Sequence, residues 1–219
     1  MELDWEYAFS ILPTLLKGLK TALYATVVGF VIACVAGLVL ALLVRVRVKV
    51  VKWVTNAFIE FVRSTPLLIQ LFFLYFGLNK YFQLSAFTVG AVALGIHYST
   101  YLAEVYRSGI DNVEKGQWEA SRALNFSKGR TWTSIILPQA IPPILPIMGN
   151  YLIVVFKETP LLAGITVLEM LTRSKNILSR DWKPFEPYTM VGLIFLVLSL
   201  TMAIVFELME RRMNRRFTK

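Results

Sequence analysis

The sequence predicts an all-α integral membrane protein with five transmembrane helices and a short polar helix outside the bilayer. Composition and the length of the uncharged runs set the class. Of 219 residues, 56% are hydrophobic and only 17% are charged, and mean hydropathy is +0.59. A soluble domain carries about a quarter charged residues. The uncharged runs Thr21 to Val44, Tyr81 to Ala103, Thr131 to Phe156 and Pro187 to Phe206 are each long enough to cross about 30 Å of hydrocarbon at about 1.5 Å per residue. A fifth, Ser64 to Asn79, is shorter and is extended backward by Phe58, Ile59, Phe61 and Val62. Spans are expected at about residues 21–44, 58–79, 86–106, 135–156 and 187–208, in one membrane domain over 1–219, with a polar loop at about 114–138.

Charge placement is the third observation. Arg45, Arg47, Lys49 and Lys52 follow the first span; Arg107, Lys115, Arg122, Lys128 and Arg130 follow the third; Arg211, Arg212, Arg215, Arg216 and Lys219 follow the fifth. These fourteen cations alternate onto one side, against eight on the other: Lys17, Lys20, Lys80, Lys157, Arg173, Lys175, Arg180 and Lys183. Positive-inside bias then puts the N-terminus outside and the C-terminus in the cytoplasm. The net charge of +9 is therefore a topology signal with anionic lipid contact added, not a nucleic-acid footprint. Glu2, Asp4 and Glu6 stand where a signal peptide would be basic. The single cysteine, Cys34, allows no intrachain disulfide and reads as a buried, inert thiol.

Along the chain, residues 1–20 read as an external amphipathic lead-in anchored by Trp5, Tyr7, Phe9, Ile11 and Leu12. Gly29, Ala33, Gly37 and Ala41 recur every four residues, a small-residue stripe expected to admit another helix of this chain. In the second span, Arg63 is expected near the cytoplasmic mouth, with Pro66 kinking or starting a helix. The third span carries His97, Tyr98, Ser99, Thr100, Tyr101 and Glu104; polar groups at membrane depth face a cavity or a partner. His97 alone says little, since a satisfied histidine is common in a bundle. The cluster points to function.

Glu119 to Leu124 is helix-compatible, and Asn125 suits a left-handed terminus. A turn is expected at Ser127 to Gly129. Pro138, Pro142, Pro143 and Pro146 each remove a backbone donor, so the regular fourth helix is expected only from about Ile147 to Phe156. It should break near Thr159, before Pro160, with Thr159 capping a new short helix. Lys157 and Glu158 beside that break resemble the discontinuous-helix sites of transporters. The depth of the break stays open at this point, as does an external loop with solvated charges. Arg173 to Pro187 reads as a polar outer loop.

No G-x-x-x-x-G-K-[ST] loop, G-x-S-x-G or H-E-x-x-H occurs. One histidine and one cysteine build no ordinary His/Cys metal site. The chain is expected to be no enzyme and to hold no cofactor or metal, any energy source coming from another polypeptide. An ion channel or single-chain secondary transporter would share the apolar spans but leave the polar segment at 119–130 unexplained.

That segment carries a resemblance. Glu119, Ala120, Ser121, Leu124 and Asn125, followed by Ile135 or Ile136, Leu137 and Pro138, are similar to the E-A-A-x-x-L-G…I-x-L-P loop of permease subunits of ABC importers for polar amino acids. Arg63-Ser64-Thr65-Pro66-Leu67 with Gln70-Leu71, and Tyr101-x-Ala103-Glu104-x-x-Arg107-x-Gly109-Ile110, resemble the same family. The likeness covers nearly the whole chain, the loop glycine being replaced by Asn125. ALNFS, RTW, PQAIPP and GNYLI with FKETPLL look most like the branch that takes up ectoine and hydroxyectoine, a compatible solute.

The resemblance implies a type I importer permease fold in a bacterial inner membrane. It implies a second permease chain, identical or related, an extracytoplasmic binding protein, and two ATPase subunits holding ATP and Mg. Glu119, Ala120, Ser121, Leu124 and Asn125 would couple to the ATPase. Tyr98, Tyr101, Glu104, Lys157, Glu158 and Thr159 are the candidate pathway residues. Glu104 or Glu158 would meet the cation of an ectoine-like solute, Lys157 or the helix start at Thr159 its carboxylate, and Tyr98 and Tyr101 would stack on the cation face.

Overall fold

The computed structural model describes residues 3–217, with side chains over 3–212. Met1, Glu2 and Lys219 lie outside the described residues, and nothing is said of the side chains of Arg215 and Arg216. The described chain is helical from end to end, without strands. Helix α1 (Trp5–Val44) starts at Asp4, whose carboxylate accepts from the Tyr7 amide at 3.0 Å. Its 40 residues make about 60 Å, twice the hydrocarbon thickness. The expected separate lead-in is therefore continuous with the first span.

Helix α2 (Lys49–Arg63) and the helical segment α3 (Leu67–Phe82) replace the expected single second span. They meet at a 104° bend across Ser64, Thr65 and Pro66. Pro66 is extended (φ −63°, ψ 135°), brings no N–H, and disfavours helical geometry in the residue before it. The third span, α4 (Ala86–Asp111), begins at Ser85, which accepts from Thr88 N at 3.1 Å. Short helix α5 (Lys115–Ala123) follows.

A helical turn and a π-type turn over 128–136 lead into α6 (Leu137–Glu158), which continues through Pro142, Pro143 and Pro146. The expectation that the proline run would be irregular is thus wrong. Pro138 lies in the first turn, where an amide is orphaned anyway, and the widened turn before it absorbs the crowding. After Glu158 the helix tightens into a 3-10 segment, Thr159–Ile165, as the Pro160 signal anticipated.

The supposed outer loop is instead largely a helix, α7 (Met170–Asp181). Its cap is Glu169, fully buried, with Oε2 accepting from Leu171 N (2.8 Å) and Oε1 from Thr172 N (2.7 Å). Glutamate is an uncommon cap, which is why the start was missed. The chain closes with α8 (Phe185–Phe217).

The small-residue stripe of α1 packs against α4 of the same chain, as expected. A Cβ on Gly29 would stand 3.1 Å from Leu94 Cβ, and one on Gly37 2.9 Å from the Ser99 carbonyl. The two helices run parallel. Tyr7 Oη donates to Asp181 Oδ2 at 2.6 Å, and Lys183 Nζ pairs with Asp4 at 2.9 Å. These bonds tie the start of α1 to α7 and α8, and so define an α7 end opposite the α5 end.

Candidate functional site

The α1–α4 register supplies a depth scale. The uncharged run Thr21–Val44 is centred near residues 32 and 33. Gly29 touches Leu94, and Gly37 touches Ser99 and Leu102. His97 to Tyr101 therefore lie near the middle of the span. Here the two broken helices meet. A cleft of about 570 Å³ is lined by Arg63, Thr65 and Pro66 from the α2–α3 corner, Tyr98 and Tyr101 from α4, and Glu158 from the end of α6.

Three tyrosines form a triangle at this level. Tyr98, Tyr101 and Tyr151 have ring centroids 5.9–6.3 Å apart. The Arg63 guanidinium lies 5.1 Å from the Tyr101 centroid, in cation–π range. Arg63 Nη1 is 4.0 Å from Glu104 Oε1, and Glu104 also pairs with Arg107. Among the described residues no cation pairs with Glu158. The cleft thus presents one cation and one free carboxylate across an aromatic floor.

One side chain holds the corner in shape. Gln70 Nε2 lies 2.7 Å from the Val62 carbonyl, 3.1 Å from the Thr65 carbonyl and 2.7 Å from Thr65 Oγ1, while its Oε1 faces His97 Nδ1 at 3.0 Å. Breaking a helix at membrane depth strands carbonyls that lipid cannot satisfy. The Gln70 amide supplies those donors, and His97 ties the amide to α4. Arg63, between Val62 and Thr65, is fixed in direction by this brace.

The candidate pathway residues divide. Tyr98, Tyr101 and Glu158 line the cleft, and Glu104 lies beside it toward the α5 end. Thr159 is fully buried and donates to the Phe156 carbonyl at 2.7 Å, so it closes α6 and does not cap the next segment. Lys157 is exposed and lines a different groove, between α6 and α8; consecutive helical residues diverge by about 100°. Arg63 stands at mid-membrane and not at a mouth. Tyr151 was missed; its spacing of seven before Glu158, two turns on one face, was the available signal.

At the α5 end, Glu119, Ala120, Leu124 and Asn125 are exposed while Ser121 is buried, its hydroxyl donating to the Gln117 carbonyl at 2.6 Å. Asn125 takes φ 52°, and Phe126 N and Asn125 N close on the carbonyls of Ser121 (3.0 Å) and Arg122 (2.9 Å). This is a Schellman ending with asparagine in glycine's place. Trp118 meets Trp132 edge-on at 5.4 Å, which seats α5 on the approach to α6.

A polar cleft between broken helices, with a polar helix seated on one end, defines the membrane component of a transporter. The chain belongs to the family of binding-protein-dependent transport system inner membrane components, which it matches over residues 29–215. It is 44% identical over 211 residues to a probable amino-acid ABC transporter permease of Sinorhizobium fredii, covering 96% of this chain and 91% of the relative. It is 31% identical over 221 residues to the glutamine transport system permease of Escherichia coli K12, covering 98% and 99%. Among solved structures, an amino acid ABC transporter crystallised with histidines matches with TM-score 0.89 at 36% identity, covering 97% of this chain and 100% of that one. The MetNI methionine ABC transporter in inward facing form, at 16% identity and TM-score 0.73, covers 93% and 98% and shares the fold alone. The chain is a permease subunit of an amino-acid ABC importer.

Proposed function

We propose that the mid-membrane cleft binds a zwitterionic, amino-acid-like solute, ectoine or hydroxyectoine, in transit from an extracytoplasmic binding protein. The observation that carries this reading is the placement of Arg63 and Glu158 on one cleft with tyrosines between them. Arg63 meets the solute carboxylate in a charge-assisted fork. Glu158 meets the delocalised cation, and Tyr98 and Tyr101 offer ring faces to it. Arg63 takes the carboxylate role first considered for Lys157 and Thr159, both of which lie off the cleft.

The α5 end faces the cytoplasm and the N-terminus lies outside. Glu119, Ala120, Ser121, Leu124 and Asn125 belong to the seat for an ATPase: two such subunits, holding ATP and Mg, drive the cycle, and a second permease chain completes the pathway. The exposed Leu124 supports this, being an apolar side chain on a polar helix. Since α5 is seated on the start of α6, motion at α5 reaches Glu158 along one helix.

The reading is tested with the whole importer in proteoliposomes, measuring ATP hydrolysis and uptake against ectoine, glutamine, arginine and histidine. Ectoine is expected to stimulate most, and Glu158→Gln to cut ectoine uptake about tenfold or more, the loss of one charge-assisted contact worth about 1.5–3 kcal/mol. Stimulation by glutamine alone would remove the ectoine assignment. Unchanged uptake by the Glu158→Gln chain would remove Glu158 from the site.

A further inference from the structure

The α6–α8 groove, on the other side of α6 from the cleft, is chemically out of place on a lipid-facing surface. It encloses about 600 Å³ and is lined by Asn150, Val154 and Lys157 from α6 and by Gly192, Leu196 and Ser199 from α8. Lys157 is exposed one residue before Glu158, hence near the middle of the membrane. A charge there faces protein or water, not hydrocarbon. The Ser199 hydroxyl is a second, independent sign: Ser199 is only 7% exposed, and its Oγ is buried without a hydrogen-bond partner. A Cβ on Gly192 would meet nothing within 4 Å, which leaves room for an approaching backbone.

The occupant follows from depth. Copies of a chain inserted the same way are related by an axis along the membrane normal, which moves no residue up or down. Whatever pairs with Lys157 in such a copy must therefore lie at Lys157's own level. Among the described residues the carboxylate at that level is Glu158; Glu104 lies about 10 Å nearer the α5 end, six to seven residues beyond His97 and Tyr98 on α4.

We propose that the α6–α8 groove is the surface on which a second copy of this chain packs, each Lys157 pairing with the partner's Glu158. The inference rests on the cleft reading above, because it gives Glu158 two partners in turn. An empty cleft leaves Glu158 to the partner's Lys157, and a solute cation displaces that pair. Occupancy of one cleft is thereby felt at the other.

The test uses the full importer in native membranes with Cys34→Ser throughout. One tagged copy carries Lys157→Cys and a differently tagged copy carries Glu158→Cys. Mild oxidation should link the two tags in a mixed disulfide, and added solute should reduce its yield severalfold. Val35→Cys, on the exposed face of α1, should give no linked pair. Gly192→Leu, which has open space to fill, should fold normally and lower co-purification of the two tags at least tenfold. No mixed disulfide, or linkage through Val35→Cys instead, overturns the proposed surface. Failure of the two tags to co-purify at all overturns the second copy and points to a different permease chain. None of these outcomes depends on which solute is carried, so they separate this inference from the cleft reading.

Discussion

Helix α4 has two faces that follow opposite rules. Toward α1 it offers Leu94, Gly95, Ser99 and Ala103, and the contact is close enough that a Cβ on Gly95 would fall 2.4 Å from Ile32 Cγ2. Toward the cleft it offers His97, Tyr98, Tyr101 and Glu104, facing a broken helix, a cation and a free carboxylate. The first face gains stability from close van der Waals contact between backbones. The second gives up helix hydrogen bonds at Pro66 and Pro160 and holds charges at membrane depth. The rigid seam is what lets the cleft stay open and polar, since strained backbone persists only where its surroundings over-determine it.

The contrast can be broken first at the seam. Gly37→Leu would drive a side chain into the Ser99 carbonyl, 2.9 Å from the new Cβ, and into Leu102 Cβ at 3.0 Å. Both neighbours are main chain or anchored to it, so the helices must part. The expected destabilisation is at the top of the about 1–3 kcal/mol range for overpacking. It should appear as lower membrane accumulation and an earlier unfolding transition in detergent; an unaltered transition would show that the seam is not the scaffold.

The cleft is probed next through its brace. Gln70→Leu leaves the Val62 and Thr65 carbonyls without the amide, at a cost of about 1–3 kcal/mol for unmet buried groups. Because Arg63 is aimed by that corner, the half-saturating solute concentration should rise about tenfold with less change in maximal uptake. A variant that loses stability but keeps its half-saturating concentration would reduce Gln70 to a packing role.

The smallest effect belongs to the α7 end. Hydrogen bonds from Arg180 and then from the Tyr7 hydroxyl hold the Asp181 carboxyl down at about 2, below its ordinary value of 3.8. A depressed carboxylate contributes stability above the unfolded value and loses it as pH falls through the folded one. The start of α1 should therefore loosen between about pH 4 and pH 2, seen as faster hydrogen exchange over residues 5–12. Asp181→Asn should abolish that pH dependence while leaving the rest of α1 protected.

Much of the architecture could be read from local patterns. Uncharged runs gave the spans, since 24 residues without charge from Thr21 to Val44 have few other destinations. Asn125 and Pro160 marked turns correctly, because left-handed backbone and missing amides are properties of single residues. The local rules failed where neighbours compensate. Four prolines in nine residues did not stop α6, whose first turns lean on the widened turn before them. Arg173 to Asp181 looked like a loop until Glu169 was found buried as its cap.

Span number, the polar helix at 115–123 and the two proline breaks are inscribed in the order of residues, because hydrophobic run length and backbone sterics act over a few positions. The meeting of Arg63 with Glu158 across 95 residues of chain, the aim that Gln70 gives to that arginine, and the turning of Lys157 away from its neighbour are matters of packing. They depend on how α1 and α4 lock in register and on which way a helix points when it breaks, and no stretch of sequence contains either quantity.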